Sequence, residues 1–232
     1  MRRRKALRRM ERHLDYDLDR IRQSLLRMGG LVEKMVADAT QALVDRDTPL
    51  ARDVVDRDHE IDLLEIEIDE DCHSILSRKQ PTAVDLRFLD AVMKINSDLE
   101  RIGDSAVNIA QSVVKLNEEP VFKPYVDIPH QSQLVQAMVR QSLDAFVRRD
   151  DRLAIDVCRG DDEVDGVYKK LFCELLGYMT EDREKVTRAL HLLLISRNLE
   201  RIADHSTNIA EDVIYYVSGR DVRHQTDQAA TG

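Results

Sequence analysis

The sequence predicts an all-α fold made by tandem duplication of a three-helix bundle, with six helices in total. Three observations lead to this prediction. The 232 residues are 43% hydrophobic and 34% charged, with few aromatic side chains, a composition typical of helix-rich globular proteins. No segment shows sustained alternation of apolar and polar residues, so strands are not expected. Finally, segments of the first half recur in the second.

Two pairs of segments carry this internal repeat. The segment LVEKMVADATQALVDRDTPLARDV (31–54) aligns without a gap with LVQAMVRQSLDAFVRRDDRLAIDV (134–157), at an offset of 103 positions. Later, SDLERIGDSAVNIAQSVV (97–114) aligns with RNLERIADHSTNIAEDVI (197–214), at an offset of 100. The Pro-rich stretch EEPVFKPYVDIPHQ separates the two copies and is therefore interpreted as a linker.

Each repeat is expected to form three helices. In the first, a helix over about 13–47 is followed by Thr48 and Pro49, which supply an N-cap and a first-turn proline for helix two. Helix two ends before Pro81, and Thr82 caps helix three, which continues to about 116. The second repeat has helices over about 131–148, 151–179 and 183–218.

Helix two shows the apolar spacing of one buried face in both repeats. The residues are Ile61, Leu64, Ile68 and Cys72, matched by Val164, Val167, Leu171 and Leu175. The predicted organisation is a basic N-terminal arm at 1–12, a three-helix bundle at 13–117, a Pro-rich linker at 118–130, a second bundle at 131–219 and a disordered tail at 220–232. The two bundles are expected to lie end to end or side by side.

Charge and cysteine usage limit the classes of function. A net charge of −9 argues against a nucleic-acid-binding protein, because such proteins neutralise phosphates with Lys and Arg. The three cysteines show no CxxC spacing, which suggests neither a disulfide framework nor a zinc site and favours a reducing, cytoplasmic location. The basic start MRRRKALRRM is not followed by the apolar region of a secretory signal. It is either a solvated terminus or a contact with anionic lipid or an acidic partner.

Carboxylates recur one helical turn apart on four of the predicted helices. The pairs are Asp58 and Asp62, Glu100 and Asp104, Asp161 and Asp165, and Glu200 and Asp204. Asn108 and Asn208 continue two of these rows by one further turn. On a helical wheel the rows lie away from the apolar stripe, so we expect them outside the core. Both kinds of pair occur at matching positions of the two repeats.

Such pairs are candidates for metal binding. Like charges four residues apart destabilise a helix by a few tenths of a kcal/mol, whereas a cation held between them reverses the sign. Helices two and three of one bundle would bring four carboxylates together, with an Asn oxygen in support. The alternative is a solvated face, in which Arg101 and Arg201 form ordinary surface ion pairs with the aspartates three residues further on. His205, beside Asp204, is either a further ligand or a surface residue, and the surface is expected because its counterpart in the first repeat is Ser105.

The same motifs resemble the PhoU family of phosphate-specific transport system accessory proteins. The resemblance covers about residues 11–220 and rests on the duplicated plan, on MGGLVEKMV, RDHEID and GDDEVD, and above all on the twin LERIGDSAVNIA and LERIADHSTNIA. The E(D)xxxD motif of that family coincides with the four carboxylate pairs. In helix two of the second repeat, Tyr168 and Phe172 replace Glu65 and Asp69, so the two halves need not bind the same metal.

The resemblance implies a cytoplasmic negative regulator of the phosphate-starvation response and of phosphate uptake. Such a protein acts as an adaptor between the ATPase of the phosphate ABC transporter (PstB) and the sensor histidine kinase (PhoR). It implies a homodimer, membrane association only through partners, and Fe, Zn, Mg or Mn at the acidic motifs. A non-catalytic role is favoured because the sequence contains no Glu-x-x-His, HExxH, GxSxG or phosphate-binding loop.

The same residues are compatible with two other functions. One is a metal-dependent helical-bundle enzyme that works at the carboxylate cluster. The other is a helical assembly protein whose acidic rows are only solvated.

Overall fold

The computed structural model describes residues 2–78, 81–121 and 123–222, with side chains from residue 14 onward. The described residues contain helices and no strand, and the fold is an all-α tandem duplication, as predicted. The helices are α1 (Arg2–Asp45), α2 (Thr48–Asp56), α3 (Asp58–Arg78), α4 (Ala83–Asn117), α5 (Asp127–Arg148), α6 (Asp151–Glu181) and α7 (Val186–Ser218), with a short 3₁₀ turn at Arg183–Lys185.

Predicted helix two of the first repeat is divided into α2 and α3 at Arg57. The Arg57 guanidinium donates to Asp38 on α1 at 2.6 Å and also pairs with Asp53. The equivalent helix of the second repeat, α6, is continuous and has Gly160 at the matching position. Because arginine is a good helix former, nothing local in the sequence marks this break.

The helix caps agree with the prediction at one position and correct it at another. Thr82 caps α4, and its side chain and that of Asp85 form a reciprocal capping box. The predicted cap at Thr48 is wrong by one residue, because the Asp47 carboxylate accepts the hydrogen bond from Leu50 N at 2.9 Å. Pro49 then occupies the first turn, where its missing N–H costs no hydrogen bond.

Two predicted boundaries also differ from the structure. Helix α5 begins at Asp127, so residues 127–130 belong to the helix and not to the linker. Pro129 is tolerated in its first turn, and Ile128 is buried against the core. Residues 2–12, predicted as a separate arm, continue α1 in the backbone. Of the predicted tail, residues 223–232 lie outside the described residues.

The two bundles lie side by side, with α4 packed antiparallel against α7. Along this pair, residue numbers decrease in α7 as they increase in α4. The Phe88 and Tyr216 rings are 5.9 Å apart, Lys94 Nζ lies 3.4 Å from Asp212, and a further contact joins Asp98 to residue 205. Helix α1 also packs on α5. Equivalent helices of the two repeats therefore meet as in a two-fold symmetric dimer.

The interface between the bundles is part of one continuous core. Phe88 of α4, Phe146 of α5 and Tyr216 of α7 form an aromatic cluster with ring centroids 5.8–5.9 Å apart. The predicted apolar face of helix two is buried throughout, except for the half-buried Val167. None of the described helices combines the length and the hydrophobicity needed to cross a bilayer.

Candidate metal centres

The carboxylates predicted on α3 and α4 lie close enough to repel one another. Burial raises the pKa of Glu100, and repulsion from Asp104, Glu65 and Asp62 raises it further. The pKa of Asp58 is also raised, first by burial and then by Asp62 and Asp104. Packing of α3 on α4 thus brings together the four predicted residues and Glu65. We refer to these five carboxylates as the first cluster.

The equivalent carboxylates on α6 and α7 form the second cluster, which consists of Asp161, Asp165, Glu200 and Asp204. Burial raises the pKa of Asp161 to about 6, with added repulsion from Asp204 and Asp165. Burial likewise raises the pKa of Glu200, and Asp204 contributes the next largest effect. The pKa of Asp204 is raised mainly by burial. The structure therefore brings the predicted carboxylates together in both repeats.

Two oxygens of the second cluster have no hydrogen-bond partner although they are buried. They are Oδ1 of Asp161 and Oε2 of Glu200. A buried carboxylate oxygen without a partner is costly, and a hard cation would compensate for it. The residues present therefore fit a cation. Within the described ranges, however, no three His, Cys, Asp or Glu side chains already converge as a formed metal site. The clusters therefore offer carboxylate oxygens but no preformed coordination shell within the described residues.

Cations make the second cluster different from the first. Arg197 pairs with Glu200 and lies over the Tyr168 ring, with its guanidinium carbon 5.7 Å from the centroid. Lys169 Nζ lies 2.7 Å from Asp165. Tyr168 replaces an acid of the first repeat, so the second cluster has fewer carboxylates and more neighbouring positive charge. The two clusters should therefore differ in affinity for a cation.

The first cluster is bordered by a polar contact between its two helices. The amide of Asn96 on α4 donates to Asp69 Oδ1 at 3.1 Å and to the carbonyl oxygen of Glu65 at 3.0 Å. Asn96 is buried, so these bonds hold α3 against α4 near the cluster. This residue was not predicted, because its partners are on another helix.

The structure corrects one expectation, the position of Glu200, and does not show the ion pairs of the solvated-face alternative. Glu200, placed outside the core by its helical wheel, is only 8% exposed. Helix α7 packs against α4, α5 and α6, so it has little free surface. Arg101 and Arg201 form no ion pair with the aspartates three residues further on, within the described part of the chain. The arginine that pairs with the second cluster is Arg197.

The asparagines predicted to support the clusters face the other bundle instead. Asn108 lines a cleft between α4 and α7, and the amide of Asn208 donates to Asp98 Oδ1 at 3.4 Å. His205, expected at the surface, is buried and places Nδ1 2.9 Å from Asp98 Oδ1. The sequence offers no signal for this pair, because the equivalent residues are Asn198 and Ser105.

Comparisons with known proteins agree with this architecture. The profile of the PhoU domain matches residues 25–113 and 128–213, one copy for each repeat. The phosphate-specific transport system accessory protein PhoU homolog of Pseudomonas aeruginosa is 47% identical over 90% of this chain and 86% of its own length. The homolog of Zymomonas mobilis is 42% identical over 91% of this chain and 90% of its own.

Solved structures show the same similarity. The crystal structure of PhoU from Pseudomonas aeruginosa superposes with a TM-score of 0.86 at 46% identity, covering 89% of this chain and 99% of that one. The phosphate transport system regulatory protein PhoU from Streptococcus pneumoniae gives a TM-score of 0.84 at 31% identity, covering 90% and 99%. The resemblance noted in the sequence is confirmed, and the chain belongs to the PhoU family.

Proposed function

We propose that this chain is a non-catalytic negative regulator of the phosphate-starvation response and of phosphate uptake. The observation that carries the proposal is its match, over nearly its whole length, to relatives named as accessory proteins of the phosphate-specific transport system. One of the similar structures is described as a regulatory protein of phosphate transport. In its most general form, the proposal is that the chain has a role in the regulation of phosphate transport.

In its finer form, the proposal makes the chain an adaptor between two proteins. These are the transporter ATPase, PstB, and the sensor histidine kinase, PhoR. The two bundles have related shapes but carry clusters with different charge, which suits a protein that contacts two partners. The proposal places the chain in the cytoplasm as a homodimer, attached to the membrane only through these partners.

Metal ions are part of the proposal. The carboxylates of each cluster would hold Mg, Mn, Zn or Fe, with Asp161 and Glu200 offering unpartnered oxygens. When bound, an ion would offset the repulsion within a cluster and tie its two helices together. The residues of this chain would then present a more neutral and more rigid surface to a partner. Regulation would depend on the carboxylates, either through an ion or by direct contact.

A complementation experiment tests the regulatory role. A host strain that lacks the gene for its own PhoU-family protein is complemented with this chain. The strain is grown in phosphate-rich medium, and alkaline phosphatase output is measured. The wild-type chain is expected to restore repression. A variant that removes two carboxylates from each cluster is expected to fail while remaining folded. Its substitutions are Glu100→Gln, Asp104→Asn, Glu200→Gln and Asp204→Asn.

A matched control removes the same number of charges elsewhere. Its substitutions are all at exposed residues outside the clusters: Glu67→Gln, Glu70→Gln, Glu118→Gln and Glu119→Gln. Repression by this control, together with failure of the cluster variant, supports the proposal. If the wild type itself does not repress, the regulatory assignment is wrong. Repression by the cluster variant would keep the regulator but remove the role of the carboxylates.

The enzymatic alternative has its own test. The family relatives are named as accessory proteins and not as enzymes, which favours the adaptor. Purified protein loaded with a divalent metal would be incubated with phosphate esters. Turnover that is lost in the cluster variant and kept in the matched control would favour a metal-dependent enzyme.

A further inference from the structure

Two surface clefts lie between α4 and α7, and the internal repeat relates one to the other. The first, here called the donor cleft, is formed by residues 108–115 of α4 and 191–201 of α7. The second, called the mixed cleft, is formed by residues 94–101 of α4 and 208–212 of α7. Because α4 and α7 are equivalent helices packed antiparallel, positions in one cleft have counterparts 100 positions away in the other. The two clefts therefore occupy equivalent positions in the two repeats and differ in their side chains.

The mixed cleft contains three acids, and the donor cleft has a neutral polar residue at each equivalent position. The replacements are Asp98 by Asn198, Glu211 by Gln111, and Asp212 by Ser112. Among the described residues that line the donor cleft there is no carboxylate. The donor cleft is therefore locally positive, although the protein as a whole has a net charge of −9.

The cations of the donor cleft are not neutralised by neighbours. Lys115 and Arg201 form no ion pair within the part of the chain that the structure describes. Arg201 attracts the Asp204 carboxylate, which does not line the cleft. In the mixed cleft, by contrast, Lys94 Nζ lies 2.9 Å from Asp90 and 3.4 Å from Asp212. Two such positive charges line the donor cleft, which has no carboxylate among its described lining residues, whereas the mixed cleft has one, Arg101, beside three acids.

Other polar groups also line the donor cleft. His191 Nδ1 is buried and has no hydrogen-bond partner in the structure. The exposed amides of Asn108 and Gln111 supply N–H donors from α4. The cleft has a volume of ≈ 470 Å³, within the range of small-molecule sites. Its lining comes from both bundles, so a ligand there would contact both repeats at once.

We propose that the donor cleft binds a small phosphate oxyanion, either inorganic phosphate or the phosphate group of a small monoester. Lys and Arg recognise such anions through charge-assisted hydrogen bonds, and amide N–H groups complete the shell. Arg201 follows Glu200 of the second cluster directly in α7, so the two sites share a helix. This inference goes beyond the proposed regulatory function and does not depend on it.

Calorimetric titration of the purified full-length protein with sodium phosphate tests the inference. A chelator is present throughout, so that metal at the clusters does not contribute. The informative variant is Asn198→Asp, which copies the acid found at the equivalent position of the mixed cleft; because it also loses the hydrogen bond from the Asn198 amide to the Leu194 carbonyl, its folding is checked by circular dichroism. It is expected to weaken phosphate binding at least about tenfold, because a carboxylate there repels the anion. Lys115→Gln, at an exposed residue, should weaken binding without affecting folding.

The matched control removes a cation from the other cleft. Lys94→Gln should bind phosphate within about twofold of the wild type, since its cleft is already neutralised. A parallel titration with glycerol phosphate distinguishes the two sources: tighter binding than phosphate identifies a monoester as the ligand, and weaker binding identifies the free anion. The inference is overturned if millimolar phosphate gives no binding to the wild type, or if Asn198→Asp and Lys115→Gln both bind as the wild type does.

Discussion

Replacing Asp161 by asparagine is expected to stabilise the metal-free protein at pH values above 6. Burial, together with the nearby carboxylates, raises the pKa of Asp161 from 3.8 to about 6. The folded state therefore binds a proton more tightly than the unfolded state between these values. The contribution of this group to stability is fully present below about pH 4 and is lost as the pH rises through about 6. An asparagine does not ionise and avoids this loss.

The pKa shift sets an upper limit on the size of the effect. A rise from 3.8 to about 6 corresponds to about 3 kcal/mol in the free energy of unfolding if it is fully realised. The side chain is only half-buried, so screening by solvent reduces the expected gain to about 1 kcal/mol. The gain should be seen near pH 8 and should disappear near pH 4, where the wild-type carboxyl is largely protonated in both states.

Urea unfolding followed by circular dichroism, with chelator present, measures this difference. The matched control is Asp162→Asn, which removes the same charge from an exposed neighbour and should change stability by no more than about 0.5 kcal/mol. A variant at Asp161 that is no more stable than the wild type near pH 8 would refute the view that its carboxylate opposes folding. A gain of equal size near pH 4 would also refute it, because ionisation could not be the cause.

The remaining predictions concern metal, the buried pair and helix packing. Adding excess Mn²⁺ to chelator-treated protein should raise the melting temperature, because an ion that binds only the folded state stabilises it, whereas unchanged melting would count against the clusters as metal sites. His205→Ala should lower the free energy of unfolding by about 2 kcal/mol, since it leaves buried Asp98 with only the 3.4 Å hydrogen bond from Asn208, and a urea titration that finds a loss near zero would contradict this. Gly29→Ala should destabilise by about 1 kcal/mol, because its Cβ would overlap Leu143 Cδ1 on α5, whereas Gly30→Ala, with open space, should stabilise by up to about 1 kcal/mol. Equal effects of the two glycine variants in the same denaturation assay would show that α1 and α5 do not pack as closely as described.

Local patterns in the sequence were sufficient to predict the helices and the repeat. The apolar spacing that includes Ile61 and Leu171 marks the buried face of helix two in each copy, and both residues are buried. Thr82 was recognised as a cap because the capping interaction involves residues three apart in sequence. The carboxylate pairs were visible for the same reason, since they repeat one turn apart. These features depend on short sequence distances.

The prediction failed where a side chain meets a helix far away in sequence. Helix two is interrupted at Arg57, whose guanidinium pairs with Asp38 on α1, a residue on a different helix. Glu200 is polar and lies off the apolar stripe, but the packing of α6 and its neighbours over α7 buries it. Asn208 follows the acidic row along the helix, but the twist of the helix turns it toward Asp98 on α4.

The sequence by itself determined that this chain is a duplicated helical protein of the PhoU type, with carboxylates paired along its helices. Helical periodicity specifies which side of a helix is apolar, but it does not specify which other helix covers that side. Only the tertiary structure decided that α4 and α7 pack antiparallel. That packing buries Asp98 with His205 and creates one cleft with acids and one without. Groups about a hundred residues apart meet there because the two repeats bury their apolar faces against each other.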